Sequence, residues 1–341
     1  MVKHCLTVIL KCHEYTNPGE VPWVTADQPL FALLKKVQWW FPETHGEDKL
    51  FGVLGALHIE KAAWHCVGQV EEGSGTPSLL ADAGITSIGI AESCLHCSHI
   101  SRTRYLNTVS ACSLHMLLCD AYQEYAGQVV DGCEPMDMEE WCNEQKNPMF
   151  RYHFLLLRLE LIVLQFVRAV RTGNQDMYIS SLVKITYYFF ALNHTHYSRW
   201  TPVHIRDMLI LPETLPAIYE HFKQGRFTVN KTSKRFSNIG LDHAQEQNIK
   251  HFKENGGPLP FTHSPDQLLL YLISGPEVTH QVTFFKNLIS QVSCNSVCHH
   301  EQTNAHQNRF VVHTKSVYSK YLEIGNVFTD DSNQLFDPLH R

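Results

Sequence analysis

Three long runs in the middle of this 341-residue chain repeat their apolar residues every three or four positions, and that period dictates helices. Arg102 to Tyr125 holds Leu106, Val109, Leu114, Leu117, Leu118 and Tyr122 at this spacing, and Met149 to Arg171 and Met177 to Leu192 follow the same rule. From Thr76 to Phe190 the helical period persists almost throughout, broken only by Gly127 to Pro135 and by Thr172-Gly173-Asn174. With 44% hydrophobic residues, such a chain buries a continuous core, and disorder of the whole is excluded.

Mixed periods flank the helical block. On its N-terminal side, Cys5 to Leu10 reads as a strand, Val21 to Ala26 as a second and Leu50 to Leu54 as a third. A helix opening at Pro29 carries Leu30, Leu33, Leu34 and Val37 on one face, and another runs from about His58 to Gln69. Strand, helix, strand, helix is the order of an α/β layer. On the other side come a short strand at Phe227 to Asn230, a helix from about Gly240 to Lys253, a Gly256-Gly257-Pro258 break and two more helices up to Val292. After Cys294 the chain is rich in His, Asn, Gln and Ser and reads as poorly ordered.

The most apolar stretch, Phe154 to Val170, is interrupted by Arg158, Glu160, Gln165 and Arg168 on one side, so it reads as an amphipathic or buried helix and not a membrane span. Cys5 to Leu10 is too short for a secretory core and lacks a cleavage site. An odd count of 11 scattered cysteines then points to reduced thiols in cytosol or nucleus, and Asn193-His194-Thr195 and Asn230-Lys231-Thr232 become chance glycosylation triplets. The net charge of -6 leaves nucleic-acid contact to a local patch.

One such patch is visible. Lys223, Arg226, Lys231, Lys234 and Arg235 occur without an intervening acid and alternate with Phe227, Val229 and Phe236. They describe a hairpin with one basic face, suited either to phosphate contacts or to the protection of a solvated edge strand. Among the acids, Asp27 ends a strand, where ligands meet α/β folds, but it also stands where a helix N-cap belongs. Asp242 and Glu246, four residues apart, share a helix face beside His243; they could hold a divalent metal with a third ligand, or serve the macrodipole. Leu54-Gly55-Ala56 reads as a packing turn that could expose His58 and Glu60, not as a phosphate loop. For zinc, Cys94, His96, Cys97 and His99 lack a second pair at finger-like distance, and Cys294, Cys298, His299, His300 and His306 lack an apolar partner to fold around the ion, so the reading goes against zinc at both.

The segments ADQPLFALLKKVQWWFPETHGEDK, LGALHIEKAAWHCVGQVEEGSG, SHISRTRY, ALNHTHYSRWTPVHIRDMLILP and FKQGRFTVNKTSKRFSNIGLDHAQEQNIKHFKENGG resemble, in the same order, a large invertebrate family abundant in cnidarian and mollusc genomes. Its many near-copies imply a transposon origin, its members are commonly longer at the N-terminus, and none of the shared segments is a motif of proven chemistry. The family usually shows Gly at Ala56 and Asp at Asn193, and lacks Cys94 and Cys97. The resemblance implies a helix-rich α/β fold: a ribonuclease-H-like transposase layer, here incomplete, with a large all-helical insertion. It places Asp27 at a strand end and Glu246, with Asp242 as the alternative, on the helix after the insertion, binding Mg²⁺.

The expected organisation is therefore residues 1–75 and 201–292 as the two parts of one layer, 76–200 as a helical insertion set to one side, and 293–341 as a polar tail. The expected function is that of a transposon-derived protein in nucleus or cytoplasm. Its ancestral reaction would be metal-dependent phosphoryl transfer on DNA, with Asp27, Asp242 and Glu246 as the acids and the basic segment on the phosphate backbone. The alternative is a non-catalytic nucleic-acid-binding or scaffold module.

Overall fold

The middle of the sequence folds as its period dictates: α7 spans Ile100–Gln128, α9 Pro148–Thr172 and α10 Gln175–Ala191. Both breaks between periods have a physical cause. Asn147 caps α9 by accepting from the Met149 and Phe150 amides, with Pro148 in the first turn, and Asn174 caps α10 through the Met177 amide. Between them Gly173 closes α9 at φ 66°. Gly225, at φ 79°, lies against it, and a Cβ on Gly173 would stand 2.9 Å from the Gly225 Cα. This computed structural model describes residues 1–129, 133–254 and 299–329, together with single positions between 264 and 285. The two helices read between 258 and 292 lie almost wholly outside the described residues.

The first quarter builds β1 (Trp23–Ala26), α2 (Gln28–Trp40), the single turn α3 (Pro42–His45), β2 (Phe51–Leu54) and α4 (Ala56–Glu71). The two strands pair in parallel with Trp23 opposite Phe51 and Ala26 opposite Leu54, and β2 is buried along its whole length. Short helices α5 (Thr76–Asp82) and α6 (Ile88–Leu95) lead into α7, and α8 (Met138–Glu144) precedes α9. After α10 come α11 (Thr195–Thr214) and α12 (Pro216–Lys223). Then β3 (Thr228–Asn230) and β4 (Asn238–Gly240) form an antiparallel hairpin that runs directly into α13 (Leu241–Glu254), and α14 spans His299–Ile324. The protein is thus helix-rich with few short strands. Among the described residues the strands form two separate two-stranded sheets.

In four places the packing departs from the sequence reading. Cys5 to Leu10 is not a strand but the middle of α1 (Val2–Thr16), because Val2, Leu6, Ile9 and Leu10 at helical spacing cover a small core of Leu34, Val37 and Leu50. On α2 the buried face is Phe31, Leu34, Lys35 and Gln38, while Leu30 and Leu33 face outward. Lys35 turns inward because Asp207, with Nζ at 2.8 Å, and Glu47 neutralise it there. The helical block is not set to one side: α9 and α10 pack on α4, α9 packs on β4, and one continuous core runs from Ala26 to Phe328. The polar tail contains an ordered helix, for α14 lies along α7 and buries Val317 and Tyr321, with Val327 and Phe328 following.

A candidate acidic latch and a basic hairpin

Asp27 follows the last residue of β1 and is the N-cap of α2, its Oδ1 accepting from the Leu30 amide at 3.2 Å. Asp242 lies in the first turn of α13 yet caps a different helix. Gly55 gives the N-terminus of α4 no capping side chain, and the Asp242 carboxylate fills that role, accepting from the Leu57 amide at 2.9 Å and the His58 amide at 3.2 Å. Glycine is needed on both sides of it. A Cβ on Gly55 would come within 2.5 Å of Asp242 Oδ2, and one on Gly240 within 2.6 Å of Oδ1.

His58 ties the acids together. Its Nδ1 lies 3.0 Å from Asp242 Oδ2 and its Nε2 3.4 Å from Glu246 Oε1, which also meets Lys61 Nζ at 3.4 Å. The hydrogen bond to Asp242 raises the proton affinity of His58 against the opposing effect of burial. Burial alone would raise Asp242, but His58 and the two amides outweigh it and hold the carboxyl below its ordinary range. Asp27 and Asp242 also act on one phenol: burial first, then the charges of Asp27 and Asp242, push Tyr197 up to about 12. The three acids expected from the sequence therefore gather around one end of the β1/β2 pair, and His58, which joins two of them, is the residue that sequence reasoning left unassigned.

What this arrangement can do is limited by how fully it is satisfied. The Asp242 oxygens already accept from two amides and an imidazole, and Glu246 stands between His58 and Lys61. Mg²⁺ needs carboxylate oxygens free to turn toward it, and cationic neighbours oppose it, so the acids as arranged do not fit that ion. Glu60 is not exposed either; it is buried in a two-pronged ion pair with Arg104 and accepts from Trp64 Nε1. No cluster of three or more His, Cys, Asp or Glu positioned for a metal occurs among the described residues. Cys94 and Cys97 are buried free thiols, and burial pushes Cys97 up to about 11, which disfavours the thiolate that zinc would need. Cys294, Cys298 and the side chains of His299 and His300 lie outside the described residues; His306 stands 5.8 Å from the Tyr105 ring.

The five basic residues divide into two groups. Lys223 pairs with Asp176 at 3.2 Å and lies over the Tyr219 ring, and Arg226 Nη1 lies 2.9 Å from His221 Nδ1. Lys231, Lys234 and Arg235 lie on the exposed loop of the β3/β4 hairpin with Phe236, which is 55% exposed at φ 61°. The loop is held in shape from within: Thr232 Oγ1 accepts from the Lys234 amide at 3.2 Å and Ser237 Oγ donates to the Thr232 carbonyl at 2.7 Å. No helix among the described residues is long and apolar enough to cross a membrane. No curated protein and no solved structure matches this chain. Residues 129–337, which carry the hairpin, Asp242 and Glu246, match DUF8702, a domain of unknown function, and the chain belongs to that family.

Proposed function

We propose that this chain is a non-catalytic nucleic-acid-binding module, descended from a mobile-element protein, that grips the phosphate backbone with the tip of its β3/β4 hairpin. The observation that carries this reading is the composition of that tip: Lys231, Lys234 and Arg235 stand in solvent beside an exposed Phe236 ring, on a loop braced by its own hydrogen bonds. Cations beside an exposed aromatic are what single-stranded nucleic acid requires, charge for the backbone and a face for a base. The latch below supports the tip, because β4 runs without a break into the helix that Asp242 fastens to α4. With a net charge of -6, the chain otherwise repels polyanions, so binding is sequence-tolerant and falls steeply with salt.

Fluorescence anisotropy of a labelled oligonucleotide across a salt series tests this. Replacing Lys231, Lys234 and Arg235 with Ala flattens the slope of log K against log salt by about 0.7 per lost contact on single strands. Phe236→Ala weakens single-strand binding by about 1–3 kcal/mol and leaves the slope alone. An unchanged slope in the triple variant removes the hairpin from the interface.

A second reading, an ancestral metal-dependent phosphoryl transfer, draws on one observation: Asp27 and Asp242 act on the same Tyr197 beside the parallel strands. In that reading β1 and β2 are the remnant of a ribonuclease-H-like layer and residues 76–200 its helical insertion. Mg²⁺-dependent nicking of DNA that Glu246→Gln abolishes would favour it over the first; no nicking by the unaltered chain is the outcome expected.

A further inference from the structure

Away from the latch, two carboxyls meet in the centre of the helical core. Glu71 ends α4 and Glu160 lies midway along α9, where the helical period groups it with Arg158, Gln165 and Arg168 on a polar side. Arg158 and Arg168 do face solvent, but Glu160 is fully buried and Glu71 is buried beside it. Neither Glu160 oxygen makes a hydrogen bond of good geometry, and the Ser110 hydroxyl of α7 is the donor nearest to it. On α7, Asn107 Oδ1 and Ser110 Oγ are also buried without such a bond, although the Asn107 amide donates to the Thr103 carbonyl at 2.8 Å. Glu71, Asn107 and Ser110 line one small cavity of about 10 Å³ with Thr76, Cys94 and several apolar side chains; Glu160 reaches its edge through Ser110.

The groups that face this pair are Tyr152 from α9, Tyr321 from α14 and Cys112 from α7, all neutral. None is a cation. Two buried carboxylates without a counter-charge are costly, and native cores avoid leaving this many acceptors unmatched. A shared proton would satisfy one of the unmatched oxygens. A hard cation would satisfy them together, since Ca²⁺ takes about six to eight oxygens at about 2.3–2.6 Å in irregular geometry. Two carboxylates, one amide oxygen and one hydroxyl offer about six, with charge that cancels a divalent ion. Mg²⁺ keeps several waters, for which a cavity the size of one water has no room.

We propose that Glu71, Glu160, Asn107 and Ser110 form a buried structural site for one Ca²⁺ ion, which ties α4, α7 and α9 together from inside. All donors are oxygen, which suits calcium over zinc or copper. The site is separate from the Asp242 latch and does not depend on the nucleic-acid reading.

Calcium titration of chelator-treated protein, followed by thermal unfolding and isothermal calorimetry, tests this. One Ca²⁺ binds per chain and raises Tm by several degrees, at a tenfold or greater advantage over Mg²⁺. Glu71→Gln and Glu160→Gln keep shape and circular dichroism but lose the calcium response, and in chelator Glu160→Gln melts no lower than the unaltered chain because it removes an uncompensated charge. An equal response to Mg²⁺, no response to Ca²⁺, or a response surviving in the double variant each overturns the proposal. So does a loss of stability between pH 5 and 9 that is identical with and without Ca²⁺, because the pair then holds a proton in both states.

Discussion

Asp242 and His58 stabilise the protein most while both are charged, and their shifts fix the pH range in which that holds. The carboxyl is held below its ordinary value of 3.8, so its contribution is present above that pH and is lost as the pH falls through the depressed value. The imidazole is held above its ordinary 6.5, so its contribution is present below that pH and is lost as the pH rises through the raised value. Asp242→Asn keeps the shape and an acceptor for the Leu57 and His58 amides but removes the charge. In urea denaturation its deficit is expected to be about 1–3 kcal/mol, greatest between roughly pH 4 and 6.5 and smaller on either side. A deficit that does not shrink as the pH rises above 6.5 would mean that His58 takes no part. The acids themselves were legible in the sequence, since Asp27 before Gln28-Pro29 has cap chemistry and Asp242 and Glu246 share a face by spacing alone. Their joining residue was not, because His58 lies 184 residues from Asp242 in the chain and nothing local marks the pair.

At the level of elements, the helices that bury one regular stripe could be read directly, and those whose burial depends on a remote partner could not. The runs over α7, α9 and α10 carry their period in Leu, Val and Phe, so their location follows from spacing. The phase of α2 depends on Lys35 finding Asp207 from α11, a contact that no local pattern announces. In α14 the polar composition hides Val317 and Tyr321, which are buried in the core, while Ser113 donates to the Thr314 carbonyl and the Tyr318 hydroxyl to Asp120 to complete its docking on α7. The hairpin was legible as a basic strand pair, but its anchor was not. That anchor is the contact of Gly225 with Gly173, where each backbone fills the space a side chain would take. Gly225→Ala places a Cβ 3.0 Å from the Gly173 carbonyl at φ 79°, and is expected to cost about 1–2 kcal/mol in urea denaturation from the left-handed backbone alone. An unaltered stability would show that the two segments separate readily.

Across the whole molecule, the family match and the core have different boundaries. DUF8702 covers residues 129–337, yet α9 and α10 from that span pack on α4, and α14 packs on α7, both from outside it. Trp64, Leu114 and Leu117 are fully buried residues of the continuous core contributed from before residue 129. A fragment of residues 129–337 is therefore expected to expose the apolar faces of α9 and α14, bind a hydrophobic dye and unfold without a sharp transition. Addition of a separate 1–128 fragment should restore a cooperative melt; a sharp transition in the 129–337 fragment alone would show that the matched span folds by itself.

The cap on α4 also imposes a timetable. The amide of Leu57 is made 185 residues before the carboxylate that accepts from it. At about 5–20 residues per second, a ribosome takes on the order of 10–40 s to cover that interval. During that time the first turn of α4 has only water for its amides, and the hairpin that follows Gly225 does not yet exist. The latch thus cannot close before α13 is made, and α4, which has its place in the sequence early, gains the cap on its first turn only after α5 to α12 exist.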